Sequence, residues 1–171
     1  MQRTRSHRIA TALGAVPLVA LAVVLVATAS NASQGSTSLH GKFRSIMNFF
    51  PPACTSVTQV CSSFNATGDI KGDGVVNVDT YPDANGISKA HTVIHTRKGD
   101  LTCSEWAVFD VSPGDHPFVD LCLINGGTGK YDGATGYIQE VGTFDFANNV
   151  GQLDYYGKLV YAGGKGSDDD D

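Results

Sequence analysis

One charged residue lies within an otherwise apolar face near the end of the chain. Two alternating segments flank Asn148-Asn149, a pair suited to a two-residue turn with positive φ at both positions. That turn places Glu140 on the inward face, opposite Gly157. Because an apolar interior penalises a carboxylate, we expect a raised pKa and a role as general acid or as hydrogen-bond anchor for a ligand. The alternative is a solvated position at the mouth of the fold, without a chemical role.

The same face predicts the lining of an apolar interior. The register pairs Phe144 with Leu153 and sets Tyr155 opposite Gly142, so that the ring lies over bare backbone. A slip of one residue would exchange the two faces. From this hairpin we predict four ligand-lining residues, Phe144, Leu153, Tyr155 and Leu159.

A second pair of carboxylates is brought together by turn chemistry. Ser112-Pro113-Gly114 predicts a hairpin turn whose register sets Glu105 opposite Asp120. If both faced the interior, one would have to hold a proton. We favour the other orientation, with both acids outward. The residues that then turn inward are Trp106, Val93, Val119, Leu121, Leu123, His91 and His95, of which we predict Trp106, His91 and His95 as ligand-lining residues, with the histidines as hydrogen-bonded core groups or as bases.

The four cysteines suggest two disulfides. The hairpin at residues 112–114 sets Cys103 directly opposite Cys122, and this predicts a cross-strand disulfide. Cys54 and Cys61 could close a small loop behind Pro51-Pro52. An even number of cysteines is typical of exported domains.

The amino-terminal segment predicts export. Three arginines precede an uncharged run rich in Ala, Val and Leu, and small residues follow at cleavage spacing, so residues 1–32 are predicted to be a secretory signal peptide. The alternative is a permanent membrane anchor. Cleavage would leave 9 Lys+Arg against 17 Asp+Glu, a formal charge of −8. We therefore predict that the secreted, acidic chain does not bind nucleic acid and, after signal cleavage, has no membrane attachment.

Several familiar motifs are absent. The segment Gly126–Tyr131 lacks the first Gly and the Ser or Thr of a phosphate-binding loop. Asp69–Gly74 lacks the ligand alternation of a calcium-binding hand, and no Cys/His spacing suggests zinc. We therefore predict neither a cofactor nor a metal.

The chain reads as short strands separated by turns. Runs rich in Val, Ile, Thr, Phe and Tyr recur between clusters of Gly, Pro, Asn and Asp, a pattern typical of an antiparallel sandwich or barrel. Seven or eight strands in one domain favour an all-β, closed antiparallel barrel, which leaves no exposed edges. The predicted strands are 39–47, 66–79, 87–96, 101–111, 117–124, 134–146 and 152–161, with a further one within 54–64.

The domain organisation follows from these segments. We predict an amino-terminal extension with the first strand or strands over 33–65, a barrel core over 66–161 and a flexible acidic tail over 162–171.

The segment Gly126-Gly127-Thr128-Gly129-Lys130-Tyr131, with Gly133 and Gly136 after it, resembles a family signature. It is similar to the Gly-Gly-Ser/Thr-Gly-x-aromatic stretch of allene oxide cyclase-like and dirigent-like barrels, here in a bacterial-type secreted form. The resemblance covers roughly residues 66–161. It implies an eight-stranded, calycin-like antiparallel barrel with an apolar cavity, often in homodimers or homotrimers. It carries over no catalytic residue.

Three functional hypotheses follow. In the first, the barrel binds or guides a small apolar or aromatic molecule, as dirigent-like barrels do. In the second, it is an isomerase or cyclase that lowers the barrier by confinement, with Glu140 as the acid. In the third, side chains fill the barrel and its acidic outer face serves a protein partner.

Overall fold

The computed structural model describes residues 35–109 and 114–162. Alternating apolar and polar residues form eight strands, and a short 3₁₀ turn, Gly129–Tyr131, lies between the sixth and the seventh. The strands are β1 Ser36–Phe49, β2 Val60–Gly68, β3 Gly72–Thr80, β4 Ile87–Thr96, β5 Gly99–Phe109, β6 Asp115–Gly127, β7 Thr135–Asp145 and β8 Val150–Val160.

Each strand pairs antiparallel with the next, and β8 pairs with β1 to close the sheet into a barrel. The predicted all-β, closed eight-stranded barrel is therefore confirmed. Within the described residues, no helix is long and apolar enough to cross a membrane. The predicted signal peptide, Ser112 and Pro113, and nearly all of the predicted acidic tail lie outside the described residues.

The strand predicted over 66–79 is wrong, because the chain turns between Gly68 and Gly72. Gly68 has a φ of 105°, in the left-handed region that favours glycine. After it, the Asp69 carboxylate accepts a hydrogen bond from the His40 amide, with N and O 2.8 Å apart. Residues 60–68 thus form a separate strand, which overlaps the further strand predicted within 54–64.

The two hairpin registers predicted from turns are each displaced by two residues. Glu140 pairs with Tyr155, not with Gly157, because residues 146–149 form a longer loop in which Asn149 has a φ of 58° and no positive φ occurs at Asn148. Cys103 pairs with Ile124 instead of Cys122, in a register that continues without a break to Phe109 opposite Phe118 beside the predicted turn. A displacement of two residues keeps each side chain on its face of the sheet.

Both predicted disulfides are present. Cys103 and Cys122 are diagonal neighbours on β5 and β6 and are bonded inside the barrel, with Cα atoms 5.4 Å apart. Cys54 is bonded to Cys61 and holds the loop 50–59 against the start of β2. The Thr58 hydroxyl donates to the carbonyl of Val78, 2.6 Å away, and ties the same loop to β3.

The barrel is filled at one end. Tyr155 is fully buried there, its ring is stacked on Phe43 with centroids 4.6 Å apart, and its hydroxyl accepts from the Ile70 amide at 2.8 Å. The ring also lies against Gly41 of β1, where an added Cβ would come within 2.5 Å of it. The strand ends Ser36 and Val160 belong to this filled end.

Candidate functional site

The other end of the barrel is hollow. A cavity of about 430 Å³ lies inside it, within the range of small-molecule sites. Residues at the strand ends and adjoining loops, among them Phe49, Tyr81 and Phe146, surround its mouth. The inward positions of the strands supply a largely apolar wall, which includes Phe64, Val76, Val78, Phe118, Phe144 and Leu153.

Three carboxyl side chains form the floor of the cavity. Glu105 of β5, Asp120 of β6 and Glu140 of β7 occupy inward positions on adjacent strands and are 2%, 3% and 7% exposed. One oxygen of each lies within 4.8 Å of the others. We call these three residues the carboxyl layer. They separate the hollow end from the filled end, where Cys103, Cys122 and Ile138 are the next inward residues.

The hydrogen bonds of the carboxyl layer leave one fully buried oxygen without a partner. The Thr92 hydroxyl of β4 donates to Oε2 of Glu105. Asp120 shares a hydrogen bond with Glu105. The Oδ1 atom of Asp120 has no partner, although the side chain is buried and lines the cavity. A buried polar atom of this kind costs free energy unless a guest supplies a partner.

Burial and mutual repulsion raise the pKa of two of these groups. The pKa of Asp120 lies well above its usual value because of burial first, then the charge and hydrogen bond of Glu105 and the charge of Glu140. Burial raises the pKa of Glu140 well above its usual value, and the charge of Glu105 adds to this. Three carboxylates so close cannot all be ionised cheaply without a cation. The arrangement can therefore donate protons, or hold a cation or metal ion when ionised.

The final hairpin places its predicted side chains inward. Glu140 lies in the floor of the cavity, and Phe144 and Leu153 line its wall. Tyr155 and Leu159 also face inward, but both are packed in the filled end and do not line this cavity. The chemical role predicted for Glu140 stays a prediction.

The orientation predicted for β4, β5 and β6 is wrong. Glu105 and Asp120 face inward, whereas Trp106 is 38% exposed on the outer face. His91 and His95 also lie outside, where each ring Nδ1 is 2.9 Å from a carboxylate, of Asp79 and Asp100 respectively. These three residues therefore do not line the interior. The residues that turn outward with Trp106 include Val119, Leu121 and Leu123, each 40–43% exposed.

Sequence reasoning missed Thr92 and favoured the wrong face for two of the three acids. The cause is that both faces of β5 and β6 carry apolar residues, so that alternation alone did not decide which face is buried. A signal was present, however. The turn prediction already brought Glu105 and Asp120 together, and Glu140 lay inward on the next strand.

No protein-family model matches the chain, and no curated protein matches it in sequence. Among solved structures, the chain is similar to the pterocarpan synthase dirigent protein GePTS1, with 15% identity over 77% of this chain and 87% of that chain and a TM-score of 0.35. The closed eight-stranded antiparallel barrel that the resemblance implied is confirmed by the strand pairing of this structure. A likeness of this degree carries no information about substrate or mechanism.

Proposed function

We propose that the hollow end of the barrel binds a small, largely apolar molecule and holds its polar group against the carboxyl layer. The observation that carries this proposal is an apolar cavity of about 430 Å³ that ends on three buried carboxyl groups. The wall supplies apolar contact area, and the floor supplies the few polar groups that orient a guest. The filled-barrel hypothesis fits poorly, because side chains fill one end of the barrel and leave the other hollow.

Binding is tested by filling the cavity. Ala107 lines the cavity on β5, whereas its neighbour Val108 points outward and is 48% exposed. We expect A107F to abolish the fluorescence rise of the neutral apolar probe N-phenyl-1-naphthylamine, while the matched variant V108F keeps it. Equal probe binding by A107F and the wild type would contradict the proposal.

A second candidate is an isomerase or cyclase that works by confinement. It is favoured by the raised pKa of Asp120 and Glu140, which keeps a proton available beside the cavity. Mass spectrometry of molecules that copurify with the protein would supply the compounds to test. Loss of turnover with retained binding in E140Q would indicate chemistry, and unchanged turnover would end the acid role of Glu140.

We propose also that the protein is exported and self-associates. Two disulfides, both well buried, fit an oxidising compartment. For association, the outer side of the sheet carries a continuous apolar surface that a monomer would leave in water. We call it the outer apolar face; its residues are Trp106, Val108, Val119, Leu121, Leu123, Tyr137 and Val141.

A further inference from the structure

The described part of the chain supplies no cation to the carboxyl layer. Its buried polar side chains are hydroxyls and carboxyls, without a Lys, Arg or His among them. The ion pairs of Lys42 with Asp154, His91 with Asp79 and His95 with Asp100 lie on the outer surface. The charge of an ionised carboxyl layer must therefore be balanced by protons or by a guest.

We propose that the cavity binds a primary amine, with its ammonium group on Glu105, Asp120 and Glu140 and its apolar body against the wall. This inference rests on the proposed function and names the class of its guest. An ammonium group supplies the positive charge that the described residues do not place beside the floor. The apolar remainder of the molecule removes the wall of the cavity from water.

The spacing of the three carboxyl oxygens fits an ammonium nitrogen. The oxygens lie within 4.8 Å of one another. Three points that are no more than 4.8 Å apart all lie within about 2.8 Å of a common point, so a nitrogen at or slightly above that point reaches all three oxygens at an ordinary N–H···O distance. A primary ammonium carries three N–H donors, one for each carboxyl group. One of these would satisfy Oδ1 of Asp120, which has no partner in the protein.

The surroundings of the carboxyl layer favour an amine over a metal ion. Ca²⁺ takes six to eight oxygen ligands, and Mg²⁺ needs an octahedral set that usually includes several waters. The floor offers three carboxyl groups on one side, while the space before them has a largely apolar wall. A cationic head joined to an apolar body uses both parts of the cavity.

The pH dependence separates an amine from a neutral guest. An ammonium ion needs ionised carboxylates, so amine binding should strengthen as pH rises through the raised pKa values of Asp120 and Glu140. A neutral acceptor such as an alcohol needs a protonated carboxyl as donor, so its affinity should fall over the same range.

Few other titratable groups face the carboxyl layer. Thr92 approaches from β4 and does not titrate in this range, and Tyr155 of β8, opposite Glu140, has its hydroxyl bound to Ile70. Tyr81 lies at the mouth of the cavity, and His116 lies four residues from Asp120 toward the mouth. H116Q should therefore retain the pH dependence.

The experiment is competition against bound N-phenyl-1-naphthylamine. We expect 2-phenylethylamine to displace the probe at a concentration about tenfold lower than 2-phenylethanol at pH 7.5, because each charge-assisted hydrogen bond outweighs its neutral counterpart. The double variant D120N/E140Q should bring the two concentrations to within about twofold. D154N, which removes an exposed acid of the outer surface, is the matched control and should keep the preference.

The outcomes of this competition distinguish a failure of the proposed function from a failure of the amine inference. Failure of the probe to bind would overturn the proposed function and this inference with it. Binding of the probe with equal displacement by the amine and the alcohol would overturn the amine inference alone. Competition by Ca²⁺ or Mg²⁺ alone at micromolar concentration would overturn it in favour of a metal site. If the double variant does not fold, E140Q alone and the opposite pH trends of the two competitors in the wild type decide the question.

Discussion

The buried carboxyl group of Asp120 lowers the stability of the fold, and it lies where it could hydrogen-bond a molecule in the cavity. Its carboxyl is 3% exposed, shares a hydrogen bond with Glu105 and leaves Oδ1 without a partner. No apolar core needs such a group for packing. Under the proposed function, a guest that enters the cavity supplies the reason for its burial, as it does for Glu140 beside it.

The raised pKa values predict that the free protein loses stability as pH rises. Asp120 and Glu140 bind protons more tightly in the folded state than in the unfolded chain, so their contribution is present below the ordinary carboxyl pKa and is lost as pH rises through the raised values. E140Q should flatten this slope and raise the free energy of unfolding at pH 8 by about 1 kcal/mol. Urea denaturation between pH 4 and pH 8 measures both effects.

Asp83 is a control for this prediction, because its pKa is shifted in the opposite direction. Its carboxylate accepts hydrogen bonds from the amides of Ile87 and Asn85, with distances of 3.1 and 2.8 Å, and these lower its pKa. Its contribution is therefore present above the ordinary pKa and is lost as pH falls. D83N should leave the loss of stability toward pH 8 unchanged. If E140Q and D83N gave the same pH profile, the account of Glu140 would be wrong.

A residue larger than glycine does not fit at position 41, because two neighbours across the sheet lie too close. An added Cβ would collide with the carbonyl oxygen of Thr67 and lie 2.5 Å from the ring of Tyr155. We expect G41A to lower the free energy of unfolding by about 1–3 kcal/mol. K42A, at the exposed neighbouring position, should change it by less than about 1 kcal/mol, because surface ion pairs contribute little. Chemical denaturation of the two variants at one pH makes the comparison.

At the scale of the strands, β5 and β6 carry the largest share of the site. Together they supply Glu105 and Asp120 to the floor and Ala107 and Phe118 to the wall. The disulfide between Cys103 and Cys122 joins the same two strands directly beneath the two acids. This bond therefore restrains both the sheet and the spacing of the carboxyl layer.

The two disulfides should differ in their contribution to stability. Cys103 and Cys122 are 19 residues apart, whereas Cys54 and Cys61 are 7 apart. By loop length alone, C103A/C122A should cost about 1 kcal/mol more than C54A/C61A. The loss of packing between the buried strands should widen the difference. Guanidinium denaturation of the two double variants tests the order, and a greater loss in C54A/C61A would contradict it.

Alternation and turn residues were sufficient to predict the barrel, six of the eight strands approximately and the inward face of the last hairpin. Turn residues did not determine loop length, because Asn149 adopts positive φ within a four-residue loop instead of a two-residue turn. The face of β5 and β6 was not predictable from hydropathy, since Trp106, Val108, Leu121 and Leu123 are apolar and yet exposed. Only the closed barrel determines which end is hollow, because that depends on contacts such as Tyr155 against Gly41.

At the scale of the whole molecule, the outer apolar face predicts self-association. A second copy of the chain would cover these side chains, which a monomer leaves in water. We expect L121E/L123E to shift the molar mass from light scattering toward that of a monomer. I46E, at an exposed apolar position of β1, should leave the mass unchanged. A monomeric wild type would contradict this prediction.

The closure between β1 and β8 has a practical consequence. The start of β1 and the end of β8 lie together at the filled end, where the Tyr161 amide donates to the carbonyl of Gly35 at 3.0 Å. The mouth of the cavity lies at the opposite end of the barrel. A fluorophore or surface tether joined near Gly35 or Ala162 would therefore emerge about one strand length away from the entrance. The protein could be immobilised by either terminus of the barrel with every entrance directed at the solution, which suits label-based capture of the proposed guest.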